Sequence, residues 1–304
     1  MKILFPALLL VVIISCGQNK KKSVQSLPSP PVVNVPAENN AVTTYTSFIN
    51  NLDTTKVASV SIAVRQFEEL FSKSDTLRAD SAFVIFSSFY DRMLNYLNEQ
   101  HLKDGTDYTA YVTEANYSKG KKTFSADTFV RNLNENGFAI DMTEGVTYIK
   151  QDRSFLSRYF YIYVSQTMKE YLVQVDKEKE EGFVEDAGLE ITPVKLCNRI
   201  LFWESFIKRY PSFPFTAVIK QNQKGYITFL LEGIDNTPLI DIETKKLSPD
   251  FQSAFDYILT NSAQSDLAGL VKPYYNALRN NDIKTVRSLL LKYKKQGIIY
   301  DYSA

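Results

Sequence analysis

Apolar side chains recur every three or four positions along most of this chain, which is the spacing that places them on one face of an α-helix. The broadest stripe runs from Phe155 to Val175 and predicts one long helix that contacts two or more neighbours. Residue pairs that favour helix starts precede three later stripes, at Thr192-Pro193, Ser248-Pro249 and Asn281-Asp282. We therefore predict a mainly α fold: an irregular bundle of helices, in which a repeat-like order stays an open alternative.

Two stretches depart from the helical period and favour β-structure. β-Branched and aromatic residues from Phe138 to Ile149 flank a turn that contains Gly145, and this pattern predicts a small hairpin. The stretch from Thr216 to Leu230 has the same character around Gly225, so we favour a hairpin over a helix there as well. The predicted bundle thus carries one or two small β-hairpins.

The N-terminal segment is apolar but short. Lys2 precedes an apolar run from Ile3 to Ile14, and Cys16 follows in the sequence Ile-Ile-Ser-Cys-Gly. A helix that spans a bilayer needs about 20 residues, so a cationic start and a shorter run predict an export signal. The segment resembles the lipobox of bacterial lipoproteins. That resemblance implies cleavage before Cys16 and acylation of its sulfur, and a plain secretory signal is the alternative.

The lipoprotein resemblance implies an organisation and a location for the chain. We predict a signal peptide at 1–15, a lipidated, proline-bearing tether at 16–42, and a mainly helical domain at 43–304 with a sub-division near 137–150. Gly17 stands where an aspartate retains such proteins in the inner membrane, which implies the outer membrane. Lys20–Lys22 replaces the acidic run that exports some lipoproteins to the cell surface, which favours the periplasmic face.

Charge and residue counts exclude several classes of function. The chain has 35 Lys and Arg against 34 Asp and Glu, a balance that argues against nucleic-acid binding, which needs many cationic phosphate contacts. Its one histidine, His101, follows a polar helix end and is predicted on the surface, which argues against a serine or cysteine triad. With Cys16 acylated, Cys197 is the remaining thiol, and its apolar neighbours predict that it is buried. We expect no disulfide, metal or cofactor.

One helix end has a family resemblance. The sequence from Trp203 to Pro211 resembles a helix end and turn of tetratricopeptide-like repeats, and the resemblance covers one helix at most. Trp203 and Tyr210, at the two ends of this segment, are our candidate binding residues. Their aromatic rings suit the stacking of a sugar or another small ligand.

Three functions remain after these exclusions. The anchor, the tether and the helical body favour a non-catalytic envelope protein that docks another protein or scaffolds an assembly, with the membrane and an envelope protein as partners. The alternative is a small-ligand or glycan binder that uses Trp203, Tyr210 and the tyrosines at 159 and 163. The third is a hydrolase with paired carboxylates. Its candidate acids are Glu144, Asp152, Asp186 and Glu204.

Overall fold

The computed structural model describes residues 40–112 and 128–302, so Cys16 and most of the predicted tether lie outside the described residues. The described part is mainly helical, as the apolar pattern predicts. Its helices are α1 (Asn40–Asn50), α2 (Ser59–Leu70), α3 (Thr76–Asp104), α4 (Thr128–Glu135), α5 (Arg153–Phe160), α6 (Gln166–Glu181), α7 (Pro193–Arg209), α8 (Thr216–Glu232), α9 (Pro249–Asn261), α10 (Asp266–Arg279) and α11 (Ile283–Lys295). Residues 109–112 are also helical. No helix in these ranges is long and apolar enough to cross a membrane.

The first predicted hairpin is confirmed. Strand β1 (Phe138–Thr143) pairs antiparallel with β2 (Val146–Gln151). Glu144 and Gly145 form the turn with φ of 48° and 77°, the left-handed backbone that two-residue hairpin turns require. Two much shorter antiparallel hairpins follow, formed by β3 (Val184–Glu185) with β4 (Gly188–Leu189) and by β5 (Gly233–Ile234) with β6 (Thr237–Pro238).

The hairpin predicted from Thr216 to Leu230 is wrong, because this stretch belongs to helix α8. Its buried apolar side chains recur at helical spacing and include Ile219, Tyr226, Ile227, Leu230 and Leu231. Burial of this face outweighs the β-propensity of the individual residues, which is a weak and context-dependent preference. The hairpin of this region comes after α8 instead.

The single long helix predicted from Phe155 to Val175 is also wrong. The chain forms α5, leaves the helix at residues 161–165, and starts again as α6. Ser165 begins α6, since its hydroxyl accepts a hydrogen bond from the Met168 N–H at 3.1 Å. The Ser165 N–H donates to the Asp80 carboxylate at 2.8 Å, which fixes the break against α3. Aromatic residues on both sides continue the apolar stripe and so conceal the break in the sequence.

Two consecutive helix pairs share one pattern. Helices α6 and α8 each end in Glu-Gly, where Gly182 and Gly233 have φ of 72° and 70°. A hairpin of two-residue strands follows Gly182 and another begins at Gly233, and the next helix begins with Pro193 or Pro249. At Gly233 a Cβ atom would lie 2.5 Å from the backbone nitrogen of Leu239, so a side chain does not fit.

The three hairpins lie side by side. The Asn236 N–H, in the turn between β5 and β6, donates to the Ala187 carbonyl between β3 and β4 at 2.9 Å. The Thr143 hydroxyl of β1 donates to the Glu185 carboxylate of β3 at 2.7 Å. These contacts join the three hairpins to one another.

Aromatic side chains dominate the core. Phe160 of α5 packs against Phe67, Phe83 and Phe86, with ring centroids 4.8, 5.2 and 4.5 Å away, and so joins α2 and α3. The largest fully buried side chains are all Tyr or Phe: Tyr45, Tyr90, Tyr274, Phe67, Phe83, Phe86, Phe89, Phe138, Phe160, Phe206, Phe251 and Phe255.

Cys197 should be unreactive in the folded protein. Its side chain on α7 is 0 % exposed, and burial raises the pKa of its thiol to about 12. Near neutral pH the Cys197 thiol is then both inaccessible to solvent and protonated, so it should react slowly with an aromatic disulfide reagent. We expect the thiol to react at least about a hundredfold faster after denaturation than before. Equal rates in the two states would show that the α7 core is open.

Candidate functional site

A buried carboxylate lies where α6, α7 and α8 meet. Glu178 of α6 is 9 % exposed, and its Oε1 accepts hydrogen bonds from Trp203 Nε1 and from Gln174 Nε2, both at 2.7 Å. Its Oε2 accepts from the Tyr226 hydroxyl, also at 2.7 Å. A buried carboxylate is costly unless donors surround it. Here the donors come from all three helices, so the carboxylate links them. We call these four residues, with Arg199, the Glu178 cluster.

Arg199 closes the cluster at the end of α6. Its side chain is 3 % exposed, and Nη2 donates to the Gly182 carbonyl at 2.7 Å and to the Glu178 carbonyl at 3.2 Å. The same nitrogen lies 3.0 Å from the Glu181 carboxylate. A cation at this position satisfies the free carbonyls of the helix end and opposes the negative end of its dipole.

Charge and burial hold Tyr226 of the cluster and the adjacent Glu181 in fixed protonation states. Burial raises the pKa of the Tyr226 hydroxyl well above its usual range, and the charge of Glu178 raises it further. The hydrogen bond from Arg199 holds the pKa of the Glu181 carboxyl below its usual range. Tyr226 is therefore a neutral donor and Glu181 an anion near neutral pH, which suits a permanent link between helices better than proton transfer.

The sequence pattern did not reveal this cluster. Glu178 lies in a charged run from Asp176 to Glu190 that reads as a solvated connection, whereas α6 continues through it to Glu181. Glu178 follows Tyr171 by seven positions and Val175 by three, so helical spacing alone places it on the apolar face. This spacing is the sequence feature from which the burial of Glu178 could have been predicted.

The structure places Trp203 and Tyr210 in one aromatic cluster, on opposite sides of Phe206. The Phe206 ring centroid lies 5.6 Å from that of Trp203 and 5.0 Å from that of Tyr210. Trp203 is only 3 % exposed, and its N–H is already bonded to Glu178. Tyr210 is half-buried beneath the Arg209 guanidinium, 5.0 Å from the ring centroid. Ring stacking on a sugar needs exposed faces, and Trp203 does not offer one.

A first surface groove lies beside this aromatic cluster. We call it the α6 groove; it has a volume of about 290 Å³ and is lined by Gln166, Lys169, Glu170, Val173, Gln174 and Phe202. Val173 is 49 % exposed, and Phe202 supplies the aromatic ring. The aromatic residue that lines this groove is thus Phe202, the neighbour of the sequence candidate Trp203.

A second groove lies between α7, α8 and α10. We call it the α8 groove; its volume is about 240 Å³. Its apolar lining consists of Ile200, Ile207, Ile227, Leu267 and Leu270, and its polar lining of Glu204, Lys208, Lys220, Gln223 and Asp266. Lys208 bridges Glu204 and Asp266 at 2.8 and 3.0 Å, so this edge of the groove combines one cation with two anions and is net negative. The arrangement provides an aliphatic base between charged edges.

The four candidate acids occupy separate structural positions. Asp152 accepts an N–H bond at the start of α5, and Glu204 accepts two at the start of α10. Glu144 and Asp186 lie in the turns of two different hairpins, with φ of 48° and 44°. The described contacts bring no two of these acids together. Within residues 40–112 and 128–302, no three His, Cys, Asp or Glu side chains form a group that could hold a metal ion.

The prediction that His101 lies on the surface is wrong. Its side chain is 9 % exposed and packs between the end of α3 and strand β2. Nε2 lies 2.8 Å from the Thr147 carbonyl oxygen, which requires the proton on that nitrogen. The ring stacks on Tyr108 at a centroid distance of 4.4 Å. His101 thus joins the helix to the first hairpin.

In the residues that the structure describes, the fold is mainly helical with three small antiparallel hairpins. Comparison with protein-family models, with curated proteins and with solved structures finds no match. The residues of the chain itself must therefore carry any functional assignment.

Removal of the Glu178 carboxylate should destabilise the body strongly. Glu178→Ala leaves the Trp203 N–H and the Tyr226 hydroxyl buried without an acceptor, at about 1–3 kcal/mol each. We expect a loss of roughly 2–5 kcal/mol in the free energy of unfolding, measured by urea denaturation and followed by Trp203 fluorescence. Glu180→Ala, on the exposed face of the same helix, is the matched control and should change stability by less than about 0.5 kcal/mol. Equal losses in both variants would refute the linking role.

Proposed function

We propose that this chain is a lipoprotein of the outer membrane, held on its periplasmic side, whose helical body binds another envelope protein without catalysing a reaction. The anchor part of the proposal rests on Cys16 in its lipobox-like sequence. The binding part rests on the α8 groove, which is the observation that carries it.

The shape and lining of the α8 groove favour a protein partner. Pockets for small molecules usually enclose about 300–1,000 Å³, and this groove, at about 240 Å³, lies below that range. Five aliphatic side chains from three helices line it, which suits the apolar side chains of an amphipathic helix or an extended segment. Charged edges then restrict which segment fits.

The two other functions have less support from the structure. A sugar-binding platform that used Trp203 would need its ring exposed, and this ring lies in the core, whereas Tyr159, Tyr163 and Tyr210 are half-buried. A paired-carboxylate hydrolase requires two convergent acids, and Asp152 and Glu204 instead serve the starts of two different helices. Protein interaction retains its support because the α8 groove has an apolar base, where Ile200, Ile227 and Leu267 are almost fully buried, and charged side chains at its edges.

A photo-reactive amino acid in the α8 groove should capture the partner. Lys220 is exposed at the groove edge, so a benzophenone side chain in its place should form one discrete crosslinked product in cells. The same side chain at Lys73, exposed on the loop between α2 and α3, is the control and should form none. Leu270→Glu in the groove should abolish the product, because a carboxylate there opposes apolar contact. The same product from both positions, or its persistence with Leu270→Glu, would rule out this groove as the binding surface.

Loss of the acylated cysteine should release the protein from the membrane. Cys16→Ser removes the sulfur that would carry the acyl chains, and each buried CH₂ of those chains contributes about 0.8 kcal/mol to anchoring. After a high-salt wash we expect the variant in the soluble fraction, with the Trp203 emission of the folded body unchanged. A variant that stays in the washed membrane pellet would contradict the lipid anchor.

A further inference from the structure

We propose that the outer face of α11 binds an anionic lipid surface and so orients the anchored body on its own membrane. The inference rests on the lipid anchor of the proposed function, because the anchor is what brings this face near a bilayer. It adds a second contact with the membrane, formed by the folded body itself.

The charge of α11 is unlike that of the rest of the chain. The helix has five basic residues and no acidic one: Lys284, Arg287, Lys292, Lys294 and Lys295. The whole chain has 35 basic and 34 acidic side chains. Outside α11 this leaves 30 basic side chains and all 34 acidic ones. The remainder is therefore net negative, and an anionic surface attracts α11 while it repels most of the body.

The positive charge of α11 lies on one side of the helix. Val286 and Tyr293 are buried on the inner side, where the Tyr293 hydroxyl donates to the Leu270 carbonyl of α10 at 3.0 Å. Lys294, beside them, pairs with Glu232 of α8 at 2.8 Å.

The other four cations point away from this packed side. Helical spacing puts Lys284, Leu291 and Lys295 along the centre of the outer face, with Arg287 and Lys292 on either side. All five are exposed. In the part of the chain that the structure describes, none of the four basic residues forms an ion pair.

The residue types on this face favour lipid headgroups over an acidic protein. Three of the four free cations are lysines, which act as mobile point charges, whereas arginine is the residue that recognises single carboxylates in a fixed geometry. Leu291 is 51 % exposed among them and Ile283 is 47 % exposed at the helix start. Short apolar side chains among lysines suit the interface between headgroups and acyl chains. Lys20–Lys22, four residues beyond Cys16, repeats this basic character at the anchor.

The anchor makes a weak contact of this kind effective. Each Lys or Arg near an anionic bilayer raises affinity roughly fivefold, so four of them give weak binding from solution. A short tether raises the local concentration of the body to the millimolar range, which is where such a contact becomes populated. The outer face of α11 should then lie against the membrane for much of the time.

Energy transfer to labelled lipid measures this orientation directly. A fluorophore is attached at position 288 through Ser288→Cys, on the outer face of α11, or at position 205 through Ser205→Cys, exposed on α7. Buried Cys197 leaves a single reactive thiol in each variant. The protein purified from membranes is added to vesicles of phosphatidylcholine alone, or with about one third phosphatidylglycerol. On the anionic vesicles we expect transfer to rise at position 288 and not at 205, and the rise to vanish in high salt.

A matched pair of charge variants tests whether α11 itself is responsible. Reversal to Glu of Lys284, Arg287, Lys292 and Lys295 should remove the rise at position 288. Reversal to Glu of Lys73, Lys103, Lys179 and Lys246 makes the same change in net charge at exposed sites elsewhere and should leave it. Loss of the rise in both sets, or in neither, would overturn the α11 contact.

The anchor can fail independently of this contact. Protein that does not partition into neutral vesicles would show that the acyl anchor is absent. The α11 contact would then appear as salt-sensitive sedimentation with anionic vesicles, which the α11 reversals abolish. If the protein has no anchor and does not sediment with anionic vesicles, the α11 contact does not exist. The same conclusion follows if the protein is anchored and energy transfer at position 288 does not rise.

Discussion

The middle of this protein depends on one buried carboxylate. Glu178 is held by an indole N–H, a phenol and an amide from three helices, and the indole and the phenol would be buried without an acceptor if it were removed. The dependence is mutual, so α6, α7 and α8 hold one relative arrangement. Because Gly182 follows directly after α6, the position of β3 and β4, and of the hairpin that contacts them, is set by the same cluster. The arrangement of these helices and hairpins thus follows from the need of one buried carboxylate for hydrogen-bond donors.

The sequence predicts those elements whose causes are local. A capping residue followed by a helical stripe acts within one turn, and helices α7, α9 and α11 begin where Thr192, Ser248 and Asp282 predict. The first hairpin is equally local, since its turn needs left-handed backbone at adjacent positions, and Gly145 supplies one of them without strain. Its pairing then extends over neighbouring residues only.

Elements determined by distant contacts are not predictable in this way. The break before α6 depends on Asp80, which is 85 residues away from Ser165. Helix α8 contains β-branched and aromatic residues because its inner face is a core surface, and which face is buried depends on its neighbours. His101 is buried by a strand that follows it by more than 40 residues. Single-sequence patterns contain no distance information of this kind.

The candidate site shows the same division between local and distant causes. Trp203 stands out in the sequence because it is the single tryptophan, and a tryptophan in a helix can serve a ligand or the core. The deciding fact is the position of Glu178 on another helix, which occupies the indole N–H. Since the aromatic residues that the sequence singles out are committed to packing, recognition is left to side chains around them. Phe202, the aliphatic base of the α8 groove and the cations of α11 are of this kind. Phe202 lies on one of the helices that the Glu178 cluster joins, whereas α11 is held by contacts with Leu270 and Glu232.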